Sequence, residues 1–275
     1  MQLIVTTRFH RDNGSLLLRR IKSLTSDAWL SLLEEYPPDP KPGSAAIFQV
    51  LGLYLVVGLV LAMNRYVADD SYGWLPLGWT QDQPPGTERI WWAFVQVLSY
   101  IVPPVLYLRF VMCRSVREMG LSTVGISKHL PIYALFAVVV IPLVVVVSGT
   151  PHFLSTYPMA RDAAMQWKTL VVWEIVYAAQ FVGLEFFFRG FMVFGPVRVL
   201  GAWVVPVMMV PYMMIHFQKP YLETTGAVIA GLALGMVALK TRSIYAGMVL
   251  HITVAWLMEF LALYHTGGWA RLAVD

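Results

Sequence analysis

Charge is what this chain has least of. Only 13% of its 275 residues are Asp, Glu, Lys or Arg, and 58% are hydrophobic. An ordinary globular protein is about 25% charged. A soluble domain of this length would lack the polar residues to cover its surface. The composition, with a mean hydropathy of +0.63, predicts an all-α, polytopic transmembrane bundle of about seven helices. Cysteine is nearly absent. The single Cys113 excludes an intrachain disulfide framework and any Cys-based metal cluster. Beside Arg109 and Arg114 it reads either as a nucleophile or, more simply, as a small apolar residue at a helix end. No HExxH signature is present. No basic stripe with interleaved aromatics appears either, so the net charge of +4 reads as loop bias and predicts no nucleic-acid partner. The opening MQLIVTTRFHRDNGS lacks the basic-then-apolar order of a cleavable signal peptide. The first spanning helix is expected to act as an uncleaved signal.

What the chain does have is long apolar runs. A span takes about 20 mostly apolar residues. Seven runs qualify, at roughly 45–64, 91–112, 130–148, 167–189, 199–216, 222–239 and 243–264. Trp91, Trp92 and Trp167 fit interfacial belts. The fifth run is the least regular, because Pro206 and Pro211 interrupt it. The sixth carries Gly226, Gly231 and Gly235, small residues that let helices approach closely or line a substrate channel. Four regions follow: a leader over 1–43, N-terminal transmembrane helices over 44–160, a core over 161–265 and a tail over 266–275. The leader ends in Pro37-Pro38-Asp39-Pro40-Lys41-Pro42-Gly43, a stiff breaker. It reads equally as a solvated tail or as carrying an amphipathic helix near Ser26–Glu35, with the Ser26 side chain as its cap.

Lys and Arg concentrate in the leader and in alternate loops, which predicts a cytoplasmic N-terminus. The loop 65–90, with Asp69, Asp70, Asp82 and Glu88, then falls outside. The setting is an integral membrane protein, of the bacterial inner or plasma membrane type, with the lipid bilayer as its first partner. This reading contains a tension. Glu185 lies near the cytoplasmic end of the fourth span, and a straight fifth span carries His216 to the opposite side. The two meet only if the fifth helix starts deep, tilts or breaks, which its prolines permit.

Charge inside the runs is rare and therefore informative. Leu184-Glu185-Phe186-Phe187-Phe188-Arg189-Gly190 sets a carboxylate and a guanidinium four residues apart, on one helix face. Charged groups at hydrocarbon depth are costly and mark functional sites by default. One reading is an ion pair that locks the bundle. The other is a carboxylate general base oriented by Arg189, with three phenylalanines drying its surroundings. His216 and His251 sit against apolar runs downstream. One Glu and two His can activate water and hold an oxyanion without metal; the same three also suit a two-His-plus-carboxylate zinc site. Glu223 and Lys219 read as interfacial anchors, Glu223 also as a helix N-terminal acid or a contact to substrate. Glu259, two turns beyond His251, reads as structural. Glu174 shares a face with Glu185 but lies about 16 Å along the axis, too far to replace it.

The order ExxxRG, aromatic-xxx-His, Gly-rich helix, Thr-Arg-Ser-Ile and a final His resembles the CPBP family. These are the CAAX-protease and bacteriocin-processing membrane proteins, also called the Rce1-like or ABI family. The resemblance spans residues from about 165 to 262. It implies an intramembrane endopeptidase with a glutamate-activated water, acting on a membrane-anchored peptide or protein. By the same resemblance Glu185 and Arg189 match the Glu-Arg motif, Tyr212 and His216 the aromatic-His motif, and His251 the last His motif. Two positions depart from the pattern. The family's motif opens with two glutamates, and Leu184 stands where the first belongs. Ala255 stands where an Asn usually follows the last His. The alternative is therefore a protein of the same fold that has lost the chemistry and serves as a scaffold or immunity-type factor.

Overall fold

A computed structural model describes residues 22, 26–68, 85–124 and 126–273. The leader's Arg8, Arg11, Arg19 and Arg20, which contribute to its basic bias, and Asp69, Asp70 and Asp82 of the following loop lie outside the described residues. Every regular element among the described residues is helical, and seven stretches are long and apolar enough to cross a membrane. They comprise α2 (Ser44–Tyr66), α3 (Thr87–Phe110), α4 (Ile126–Val147, apolar enough over Leu130–Val147), α6 (Trp167–Phe194), the run Val197–Met214, α9 (Tyr221–Thr241) and α10 (Tyr245–His265). The run Val197–Met214 consists of a short helix α7 (Val197–Leu200), a 3-10 turn, and α8 (Val204–Met214). Short helices α1 (Ala28–Glu35), α5 (Pro151–Thr156) and α11 (Gly268–Leu272) complete the set. The chain is an integral membrane protein.

The outer surface shows why these helices need lipid. On α2, Leu51, Leu55 and Leu59 recur every four residues and lie open on the outside, Leu55 at 71% exposure. The smaller Val57 and Val60 face inward with Leu53. In water such a stripe would be an exposed apolar patch. Inside, polar side chains join helices. Gln180 on α6 donates to Gln96 on α3 at 2.7 Å, and Ser99 on α3 donates to Asn64 on α2 at 2.5 Å. Such bonds act as glue between helices in hydrocarbon.

The fourth span is longer than its charge pattern suggests. Arg189 reads as an end signal, yet the helix runs on to Phe194 through a π turn at Phe186–Phe191. The apolar Phe191, Met192, Val193 and Phe194 continue the buried run. Arg114 closes it, donating to Phe194 O at 2.8 Å and Gly195 O at 2.9 Å. A cation on free terminal carbonyls is a favoured end to a helix. Beside it, the Ser115 backbone N–H and the Arg114 guanidinium hold the Glu118 carboxyl below its usual range.

The fifth span breaks one step earlier than its prolines predict. Pro211 lies inside continuous helix. The break is at Gly201, which has φ +58°. A Cβ there would collide with the backbone of Tyr36 and Pro37. Only glycine meets both demands. The close approach is where α1 docks. The Ala202 N–H donates to Tyr36 O at 2.8 Å, and Trp29 meets Trp203 edge-on with ring centroids 5.7 Å apart. Glu35 pairs with Lys240 at 3.0 Å. So α1 sits on the bundle. Ser26 does not cap it, because its hydroxyl donates back to Lys22 O.

Gly231 and Gly235 pack α9 against α8. A Cβ on Gly231 would lie 3.0 Å from Tyr212 Cδ1, and one on Gly235 would lie 2.8 Å from Met208 Cε. Gly226 has open space around it. Cys113 is exposed, at a left-handed φ of +52°, just past the end of α3.

Candidate active site

Three helices bring the site together, with its residues within one half of the bundle. The ends of α6 and α9 and the starts of α8 and α10 share one end of the bundle. There Arg114 holds Phe194, Tyr36 OH donates to Leu239 O, and the Ile244 N–H donates to Gly120 O. Counting from that end, Glu185 lies nine residues before Phe194, or about 13 Å; His216 lies twelve after Val204, about 18 Å; and His251 lies six after Tyr245, about 9 Å. The longer fourth span and the late start of α8 remove the conflict between Glu185 and His216.

Glu185 sits at the centre and is wholly buried. Its Oε1 is 2.9 Å from His251 Nδ1 and 3.2 Å from Arg189 Nη1. One oxygen thus faces two partners. Its Oε2 has no hydrogen-bond partner among the described residues and faces Gly247, where a Cβ would come within 3.3 Å. Arg189 is 1% exposed. Such a pair repays its desolvation only with good geometry. Here the guanidinium gains a second support, since its Cζ lies 3.9 Å above the Tyr212 ring centroid. A desolvated cation over an aromatic face is attracted by the ring quadrupole.

Tyr212 is the common wall. Its ring centroid is 4.9 Å from that of His216 and 6.4 Å from that of His251. Phe188 meets it edge-on, and Phe181 packs on His251 at 4.5 Å. His216 Nδ1 is 2.8 Å from Tyr212 O. A carbonyl only accepts, so Nδ1 carries the proton and Nε2 keeps its lone pair. Burial pushes the His216 imidazole down to about 4, with His251, Lys219 and Arg189 adding to the effect and the Tyr212 carbonyl opposing it. His216 is therefore neutral at pH 7. Thr224 secures it from α9 by donating to His216 O at 2.6 Å.

Glu223 belongs to a second cluster toward the opposite end. Tyr157 OH donates to Glu223 Oε1 at 2.9 Å, and Lys219 Nζ donates to Tyr157 OH at 2.9 Å. Burial lowers the Lys219 ammonium and raises the Tyr157 phenol. Glu223 is in the first turn of α9 and makes no side-chain cap. Glu259, fully buried, accepts from the Met159 N–H at 2.8 Å and from Trp173 Nε1 at 3.2 Å. It ties the loop after α5 to α6. Thr253 turns away from the site and donates to Val249 O. Leu184 and Ala255 are buried apolar residues. Among the described residues, no three His, Cys, Asp or Glu side chains are grouped to hold a metal ion.

The segment that carries these helices also carries the likeness to known proteins. Residues 166–257 match the family described as type II CAAX prenyl endopeptidase Rce1-like. This is a family of proteases. The match covers one third of the chain. Glu185, Arg189, Tyr212, His216 and His251 all fall inside the Rce1-like segment; α1 to α5 lie outside it. None of the curated proteins and none of the solved structures compared with the chain matches it.

Sequence reasoning did not find Tyr212 as the support of Arg189, nor the acceptor role of Glu259. The one available signal was spacing. Tyr212 and His216 lie one turn apart, so a histidine ring and an aromatic ring share a face.

Proposed function

We propose that the protein is an intramembrane endopeptidase that hydrolyses a peptide bond in a membrane-associated peptide or protein. The observation that carries this reading is the buried Glu185–His251 contact of 2.9 Å, inside a segment similar to a protease family. A carboxylate, two imidazoles and a dry aromatic wall can activate water and deliver a proton to a leaving amine. Hydrolysis runs here without metal. The guanidinium at 3.2 Å from Glu185 opposes a second cation at that carboxylate. The end carrying Arg114, Arg117, Arg198, Lys240 and Arg242 is the cytoplasmic one, by the bias of Lys and Arg, with the N-terminus on that side. The membrane is of the bacterial inner or plasma type. Tyr212 and Glu223 line the approach of substrate from opposite sides.

The test uses the full chain in nanodiscs with a single-span peptide that ends in an extended tail, and reads products by mass spectrometry. Wild-type protein cleaves the peptide; a variant carrying both His216→Ala and His251→Ala inserts but does not. Equal cleavage by the two proteins, or none by the wild type, sinks the reading.

One observation favours a second reading. Glu185 and Arg189 form a fully buried pair, which also suits a bundle locked for binding a partner. Under that reading the double histidine variant keeps the cellular phenotype, and bulky residues at Gly231 or Gly235 abolish it.

A further inference from the structure

The sequence suggests Glu185 as the base that takes a proton from water. The geometry points to a different division of labour: we propose that His251 Nε2 is the proton acceptor and that Glu185 is a positioning residue holding His251 in the required tautomer. This rests on the peptidase reading above and deepens it.

Three observations carry the inference. First, access differs. The Glu185 side chain is 0% exposed, whereas that of His251 is 17% exposed. The imidazole is reachable from outside the packed core and the carboxylate is not. Second, the carboxylate is turned inward. Oε1 faces both Arg189 and His251, and Oε2, without a hydrogen-bond partner among the described residues, is enclosed at Gly247. Third, the bond fixes the proton. A carboxylate beside a guanidinium is an acceptor only, so His251 Nδ1 carries the hydrogen, and in the neutral imidazole the lone pair is then on Nε2. A buried carboxylate that orients an imidazole this way is the general logic of carboxylate–histidine pairs in hydrolases. The arrangement also gives Leu184 a place. A base on histidine needs one carboxylate behind it, not two.

The step balances as follows. The water oxygen bonds to the scissile carbonyl carbon while one water proton passes to His251 Nε2. The carbonyl π pair moves onto oxygen. Collapse of the oxyanion breaks the C–N bond, and His251 Nε2–H gives its proton to the departing nitrogen. The second water hydrogen stays on the new carboxyl group. His216, with Nδ1–H held by Tyr212 O, offers its own Nε2 lone pair to that second hydrogen and orients the water. During the step the imidazolium of His251 is stabilised by Glu185, whose own charge Arg189 and the Tyr212 face keep in place.

The test has two independent arms. The first is spectroscopic. Wild-type protein labelled with 15N-histidine is reconstituted in nanodiscs, and the His251 signal is assigned by its loss in His251→Gln. The expected spectrum shows Nδ1 protonated and Nε2 bare. A protonated Nε2 with a bare Nδ1 overturns the proposal, whatever the activity. The second arm is kinetic, with the single-span peptide. Glu185→Gln retains cleavage but loses on the order of 10²–10⁴-fold in kcat at similar KM, as for other orienting carboxylates. Glu185→Asp recovers at least a tenth of wild-type kcat. His251→Ala has no detectable activity alone and regains part of it with added imidazole. A wild type that cleaves, a dead Glu185→Gln and an active His251→Ala together overturn the role of His251 and leave the peptidase reading standing. A wild type that cleaves nothing overturns both.

Discussion

Arg189 and Tyr212 face each other across the α6–α8 interface, with the guanidinium carbon 3.9 Å above the ring centroid. One nitrogen of the same guanidinium lies 3.2 Å from Glu185. Replacing Tyr212 with Phe keeps the aromatic face and should leave stability within about 1 kcal/mol of wild type. Replacing it with Leu removes that face at similar apolarity and should cost about 2 kcal/mol or more, the range for a desolvated cation–π contact. Reversible unfolding in mixed micelles measures both. Equal stability of the Phe and Leu variants would show that the ring does nothing electrostatic.

Removing Arg189 leaves Glu185 buried and uncompensated. Arg189→Met should lower stability by about 3–5 kcal/mol, the usual effect of breaking a buried pair from one side. Adding Glu185→Gln to Arg189→Met should return most of that loss. Arg189→Lys should not, since a compact ammonium cannot both cover the ring face and reach the carboxylate as the delocalised guanidinium does. The same unfolding assay decides. A single Arg189→Met variant as stable as wild type contradicts an ionised Glu185.

His216 gives a pH signature with a definite sign. Its folded value is about 4 against an ordinary 6.5. Between those values the unfolded chain binds a proton that the folded chain refuses. Stability therefore rises with pH across that window. The contribution is fully present above about pH 6.5 and is lost as pH falls toward 4. The difference in melting temperature between wild type and His216→Gln, measured from pH 4 to pH 7.5, should shrink steadily below pH 6.5. Other histidines cancel in the difference. A flat difference contradicts a neutral, buried His216.

The three glycines of α9 separate by place. Gly231→Val should push on Tyr212 and Met209 and cost about 1–3 kcal/mol, as overpacking does. It should also reduce cleavage, because Tyr212 walls the site. Gly226→Ala meets nothing within 4 Å and should leave both stability and cleavage unchanged. Parallel melting curves and peptide assays compare them. Similar losses at both positions would remove the packing role assigned to Gly231.

Much of the fold was legible because hydrocarbon imposes one rule, long apolar helices. The first run, read as 45–64, is Ser44–Tyr66, and the last, read as 243–264, is Tyr245–His265. The failures came where a residue's neighbours changed its meaning. Arg189 looked like a helix end, but Glu185 and Tyr212 neutralise it and the helix continues nine residues beyond Glu185 to Phe194. Pro206 and Pro211 looked like the break in the fifth run, but Gly201 makes it, because the leader's backbone passes against it. That contact joins residues more than 160 apart, and no local pattern encodes it. Glu185, His216 and His251 were legible as costly polar groups in apolar runs. Which of these side chains is reachable from outside the core was not, since exposure is a property of packing.

The depth at which Glu185, His216 and His251 lie has a consequence for what a peptidase of this build selects. At roughly 9–18 Å below the end of the bundle a substrate's backbone amides find little water to replace their own bonds, so an intact spanning helix keeps every carbonyl in its own ladder. The bond to be cut must come from a stretch that cannot keep that ladder: one near a helix end, broken by Pro or Gly, or drawn out as a tail. Selection at this site then reads how readily the substrate's backbone unravels, before any side chain is recognised.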